Sequence, residues 1–223
     1  MTIQKMVPIV ALALAASVGL PAVAQDASGP ILFTNVNVFD GVNEALIKNA
    51  NVVVTGNKIT AVSTKPLAIA GGTVIDGGGR TLMPGLTDCH WHSMAANFSG
   101  NAFALGEGKL NLVAADGAEK TLMRGFTTIR DMGGNVFDLK SVIDEGMYVG
   151  PRMYAAGSMI SQTSGHADFR SPIEIPQSYS RDLTPQERMG SVAIADGRAQ
   201  VMQRVRENLM RGAAFIKLMG GGG

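Results

Sequence analysis

Two of the three histidines in the chain, His90 and His92, stand one residue apart in the stretch Leu82-Met83-Pro84-Gly85-Leu86-Thr87-Asp88-Cys89-His90-Trp91-His92. An apolar run, a Pro-Gly break, an acid and two imidazoles in so short a span suit a strand that delivers metal ligands. In extended backbone the side chains alternate faces, so Asp88, His90 and His92 are expected to point one way and Cys89 and Trp91 the other. Two imidazoles at i and i+2 on one face can close on a single cation such as zinc, and an acid beside them can orient a ring from behind. A bare His-x-His fits two ordinary strand-end histidines equally well. Its place after Pro-Gly and an apolar strand, with Asp88 alongside, favours metal. Cys89 is expected to be a small core residue rather than a ligand.

The surrounding segments must hold that strand. Ahead of it, Ile31 to Phe39 ends at the turn signal Asp40-Gly41, and Asn51 to Val54 reaches Gly56-Asn57 before Lys58 to Val62, a series of short strands that predicts a small β layer. Asp76-Gly77-Gly78-Gly79 reads as a tight link, because a phosphate-cradling loop would end in Gly-Lys-Ser/Thr and open a helix. Behind it the texture alternates. Leu110, Val113, Ala114, Ala118 and Leu122 recur at helical spacing between Glu107 and Arg124, with Gly125 as the stop. Phe126 to Arg130 reads as a strand, Val136 to Glu145 as a helix stopped by Gly146, and Arg152 to Ala156 as another strand. A long polar loop from Ser158 to Thr184 carries the third histidine, His166. Thr184-Pro185-Gln186-Glu187 has the form of a capped helix start, and that helix is expected to run to Arg211, followed by a strand from Ala213 to Met219 that contains Lys217.

Repeated strand, helix, strand units with apolar strands predict a parallel sheet covered by helices. His90, His92, Asp131, the His166 loop and Lys217 all fall at or just past the C-terminal end of a strand, the side on which such folds build their sites. Asp131 and Arg130 are expected to form a buried structural ion pair.

Composition narrows the function classes. With 19 Lys and Arg against 18 Asp and Glu, and 5% aromatic residues, the chain has neither the basic footprint nor the stacking platform of a nucleic-acid binder. Residues 1–24 have the pattern of a secretory signal peptide: Lys5 in a short polar start, an apolar stretch from Val7 to Leu20, and small residues before a cut after Ala24. An exported, periplasmic or secreted protein with no membrane association after cleavage is the expectation, an uncleaved anchor being the alternative. Cys89 is the single cysteine, so no intrachain disulfide is available and stability must come from packing or metal. Asn97-Phe98-Ser99 fits a glycosylation sequon without informing function.

The stretch from Pro84 to His92 resembles the first-strand signature of the amidohydrolase superfamily, metal-dependent hydrolases built on a (β/α)8 barrel. Gly125 to Asp131 is similar to its second-strand segment and Gly150-Pro151-Arg152 to the start of the third. Ser161 to His166 and Phe215-Ile216-Lys217 resemble segments of its imidazolonepropionase-like and Xaa-Pro dipeptidase-like branch. The similarity runs from about Pro30 to Gly223. It implies that residues 25–80 form a small β-sandwich-type domain and residues 81–223 the first half of a TIM barrel. It also implies that His90 and His92 bind the more buried metal, and that Lys217 corresponds to a lysine that, once carboxylated, bridges two metals in binuclear members. The chemistry is consistent, since an amine held away from water sheds its proton and can add carbon dioxide to become an anionic carbamate. A lysine snorkelling at a strand end is the bland reading of Lys217. His166 would polarise the scissile carbonyl or hold a substrate carboxylate, or simply bond its own turn.

The resemblance also exposes a shortfall. A binuclear site of this kind takes four histidines, the lysine and a late aspartate, whereas this chain has three histidines in all. A full barrel takes roughly 250 residues and eight strands, against four recognisable strands after Pro84. The sequence therefore reads as the N-terminal half of a longer enzyme and is expected to be inactive by itself. In the intact enzyme a metal-activated water would cleave a C–N bond of a dipeptide, N-acyl amino acid or cyclic amide. Two alternatives stand beside this: a non-catalytic metal-binding half-barrel whose copies complete one another as a homo-oligomer, and a heterocycle deaminase, against which Lys217 argues.

Overall fold

The computed structural model describes residues 29–96, 105–174 and 182–221. The expected signal segment and the Asn97 sequon lie outside the described residues. No helix among the described residues is long and apolar enough to cross a membrane. The described residues divide into two compact units, one up to Pro84 and one from Gly85 onward.

The first unit is a single sheet of five strands: β1 (Ile31–Val38), β2 (Ile47–Thr55), β3 (Lys58–Ser63), β4 (Thr73–Asp76) and β5 (Thr81–Leu82). They lie in the order β3-β2-β1-β4, with β5 also on β1; β1 and β2 are antiparallel, and β4 and β5 run parallel to β1. Period-two alternation puts Val36, Ala50 and Val52 into one small core with Val38, Val54 and Leu82 around it, and a register shift between Phe33 and Val36 brings Phe33 to the same core. Asp40 closes the first turn by accepting from the amides of Val42 and Asn43. The described residues supply one layer here, not the two that a sandwich needs.

The second unit opens with β6 (Leu86–Trp91), α1 (Glu107–Met123), β7 (Phe126–Asp131), α2 (Phe137–Asp144) and β8 (Arg152–Ala155). The three strands form a parallel sheet in the order β6-β7-β8. Leu110, Ala114, Ala118 and Thr121 line one stripe of α1 at helical spacing and are buried. The core joins Leu110 and Ala114 to Ile129, Val136, Leu139, Met153 and Met94. Ile129 and Met153 are almost fully buried, each burial contributing about 1.5–3 kcal/mol. Gly125 and Gly146, both at positive φ, end the two helices as expected.

Beyond β8 the structure departs from the expectation. The polar loop contains a three-residue strand, β9 (Met159–Ser161), and the long helix anticipated from Thr184 to Arg211 is broken. Thr184 and Glu187 do form a capping box, but they start only a single turn, α3 (Pro185–Arg188). The apolar run after Gly190 becomes β10 (Val192–Ile194), parallel to β9, before α4 (Arg198–Met210). Two β-branched residues in Val192-Ala193-Ile194, between Gly190 and Gly197 at positive φ, favour a buried strand over helix continuation. The strand expected from Ala213 to Met219 is reduced to one parallel bridge, Ile160 with Leu218, secured by the Ile160 amide donating to the Lys217 carbonyl (3.0 Å) and the Met219 amide donating to the Ile160 carbonyl (2.8 Å).

Candidate metal centre

The sequence of β6 alternates, but the strand does not run straight. Asp88 pairs with Ile129 and Trp91 with Asp131, so two residues of β6, Cys89 and His90, stand opposite one residue of β7. Such a bulge turns the side chains away from strict alternation. Asp88 stabilises it: its Oδ1 accepts from the His90 backbone amide at 2.9 Å, and the expected bond from Asp88 to an imidazole is not made. Cys89 is exposed rather than in the core, because β6 is an edge strand among the described residues and its bulged segment has a neighbour on one side only. The bulge nonetheless leaves His90 and His92 together, with ring centroids 5.4 Å apart and planes tilted by 51°.

A second irregularity supports the start of β6. Leu86 faces Phe126 and Thr87 faces Thr128, which leaves Thr127 as the extra residue on β7. A Cβ on Gly85 would sit 2.0 Å from the Thr127 Oγ1 atom, so glycine is what lets the strands approach there.

The two imidazoles are held differently. His92 is half-buried, and its Nδ1 lies 3.4 Å from the Gly133 carbonyl oxygen. A carbonyl only accepts, so this contact is a hydrogen bond only in a form of the ring that carries its proton on Nδ1. His90 is exposed. The partial desolvation of its ring and the positive charges of Lys217, His92 and Arg130 hold its pKa below the usual histidine value, against the opposing pull of Asp88. A neutral imidazole is the form that binds a metal. The charge of Lys217 therefore reaches the pair, from a half-buried position on the segment bonded to Ile160.

His166 is exposed on the loop after β9, with its backbone amide donating to the Gly221 carbonyl at 3.2 Å. Among the described residues no group of three or more His, Cys, Asp or Glu side chains could hold a metal ion. The donor set at hand is thus two imidazoles and one amine, which fits part of a zinc site.

Asp131 does not pair with Arg130. Neighbours on a strand point to opposite faces, and here the Arg130 guanidinium stacks 4.4 Å over the Phe215 ring. The Asp131 carboxylate, fully buried, accepts from the Ser93 amide at 2.7 Å and the Gly133 amide at 3.1 Å. Burial pushes its pKa up, opposed by hydrogen bonds from Ser93 and Gly133. This brace beside His92 was missed in the sequence, although Asp-Met-Gly-Gly after a strand is a legible signal for an aspartate bonding the amide two residues on.

With this geometry, residues 81–223 match the amidohydrolase family, and the chain belongs to it. It is 36% identical over 151 residues to ochratoxinase from Aspergillus niger, an alignment covering 64% of this chain and 31% of that protein. A solved prolidase complexed with N-methylphosphonate-L-proline superposes with a TM-score of 0.76 at 31% identity, covering 87% of this chain and 47% of the other. A Xaa-Pro dipeptidase with methionine bound in its active site gives a TM-score of 0.69 at 26% identity, over 85% and 47%. The chain thus spans just under half the length of those solved relatives and about a third of ochratoxinase. Its mixed α/β architecture is that of the corresponding part of these enzymes.

Proposed function

We propose that this chain forms one wall of the active site of a metal-dependent hydrolase acting on the C–N bond of a dipeptide or N-acyl amino acid. The observation that carries the reading is the His90–His92 pair, two close imidazoles at the C-terminal end of β6, with the His92 Nδ1 atom 3.4 Å from the Gly133 carbonyl oxygen. Zinc bound there would supply a Lewis acid and lower the pKa of a water molecule near the carbonyl carbon. His90 and His92 would hold it through neutral ring nitrogens. Lys217, close enough to influence His90, would contribute a carbamate by adding carbon dioxide to its free amine with release of a proton. His166, on an exposed loop, would meet the substrate carboxylate rather than the metal.

The substrate class draws on the relatives: a prolidase seen with a proline phosphonate, a Xaa-Pro dipeptidase and ochratoxinase. Residues 1–24 would direct export.

Zinc titration of the purified chain by calorimetry tests the centre. Binding is expected in the unaltered chain and its loss in His90→Ala and His92→Ala. Unaltered zinc affinity in both variants would sink the proposal. The chain by itself is expected not to hydrolyse Xaa-Pro dipeptides or N-acyl amino acids, because two imidazoles and an amine do not complete the ligand set.

A further inference from the structure

Asp131 lies where three features of the second unit meet. On its strand it pairs with Trp91 of β6 and Ala155 of β8, and its own carbonyl accepts from the Ala156 amide at 2.9 Å. Its carboxylate divides between two turns: Oδ2 takes the amide of Ser93, one residue past His92, and Oδ1 takes the amide of Gly133 in the turn that follows β7. The Gly133 carbonyl in turn faces the His92 ring. Gly133 has little room to move. A Cβ there would meet the Met159 Cγ atom at 2.3 Å, and the next residue, Gly134, donates its amide to the Gly157 carbonyl at 3.1 Å.

A surface aspartate closing a turn would need none of this. A carboxylate removed from water, with both oxygens on amides from separate turns, makes the spacing of those turns depend on one side chain. We propose that Asp131 is a positioning residue for His92: by tying the Ser93 and Gly133 amides together it fixes the Gly133 carbonyl against the imidazole, so that His92 is held with Nδ1 protonated and Nε2 as its free lone pair. The hydrogen bonds that tie Asp131 to the ring run through backbone, beside the direct attraction between its carboxylate and the imidazole. The tautomer part of the inference stands on the observed bonds; its consequence for zinc rests on the metal reading above.

The three histidines make the test direct. Nitrogen-15 labelling of histidine in the full chain, with His90→Gln and His166→Gln to assign the signals, reports the His92 tautomer without metal. The Nδ1–H form is expected in the unaltered chain; a dominant Nε2–H form there would overturn the proposal, whatever any variant does. Asp131→Asn keeps the volume but can accept through one oxygen only, so one of the two amides loses its partner. The expected result is loss of the Nδ1–H preference and zinc affinity weaker by about 10–100-fold, the usual effect of losing a group that orients a ligand. Retention of the Nδ1–H form with unchanged zinc affinity in a folded Asp131→Asn chain would overturn it as well. Ile194→Val, a buried change on the separate β9–β10 sheet of the same unit, serves as the control: the same tautomer change in that variant would show that general loosening is responsible, and would also defeat the proposal. If the unaltered chain binds no zinc at all, the metal reading fails while the tautomer still decides this one.

Discussion

Two aspartates of the second unit do the same job in opposite electrostatic settings. Asp131 and Asp168 each accept backbone amides that shape the loop after a strand: Ser93 and Gly133 for the first, Ser164 and Arg170 for the second. Among the described residues Asp131 makes no ion pair, and burial raises its pKa against the pull of its hydrogen bonds and of the His92 charge. Asp168 is gripped by the Arg170 side chain at 2.6 Å (Nε) and 2.5 Å (Nη2), which with the Ser164 amide pulls its pKa down despite partial burial. The hold of Asp131 therefore comes from buried backbone amides, whereas that of Asp168 comes chiefly from a paired charge. The histidines near them in sequence differ as well, His92 being half-buried with Nδ1 near a backbone carbonyl and His166 exposed.

The largest effect should follow from Asp131→Ala. Ser93 and Gly133 are both buried, so the substitution strands two amide N–H groups without an acceptor and opens a small void. A loss of about 2–4 kcal/mol in urea unfolding is expected. A cost below about 1 kcal/mol would mean that water replaces the carboxylate, and that the dry-brace description of this corner is wrong. Asp168→Ala should cost less, about 1–2 kcal/mol. Ser164 is exposed and its amide can turn to water, so fewer amides are stranded, although the Arg170 side chain, 12% exposed, loses its fork partner.

The pH dependence of stability should carry opposite signs at the two positions. Asp168 ionises more readily folded than unfolded, so its contribution is present above about pH 4 and is lost as pH falls through its lowered folded pKa. Asp131 holds its proton more tightly when folded, so its contribution is present at low pH and is lost as pH rises from about 4 through its raised folded pKa. Metal-free chains unfolded across this range should show it directly: Asp168→Asn removes a loss of stability on the acid side, and Asp131→Asn removes one on rising pH. Equal slopes for the two variants would erase the distinction drawn here.

This contrast also marks what the sequence could reveal. Elements with strong periodicity, α1 with its Leu110, Ala114 and Ala118 stripe and the strands β6, β7 and β8, were legible, as was the His90–His92 pair, because type and spacing carry the signal. Short buried strands were not. Met159–Ser161 lay inside a polar stretch, and Val192–Ile194 between two helical segments read as part of one helix, since three apolar residues fit either period. The bulge at Cys89 and His90 depends on pairing with β7, a relation that no single strand encodes. The partner of Asp131 was misassigned to Arg130 because its true partners are backbone amides, which every residue but proline possesses and which no residue type announces.

The smallest effect belongs to a third aspartate. Asp116 pairs with Lys120 one turn along α1 at 2.5 Å, as close as the Arg170 Nη2 contact of Asp168, yet its side chain is 62% exposed and that of Lys120 60%. Water screens both charges, and holding two long side chains in one geometry costs entropy, so Asp116→Ala should change stability by no more than about 0.5 kcal/mol. The lysine loses no buried partner, and alanine's better helix propensity offsets part of what is lost. Distance alone would rank Asp116 with Asp168; burial and the backbone amides it serves rank it last. Denaturation of Asp116→Ala beside Asp168→Ala decides between these criteria. Equal losses would show that close charge contact suffices, and a near-neutral Asp116→Ala would show that burial of the carboxylate and the backbone amides it accepts set the cost.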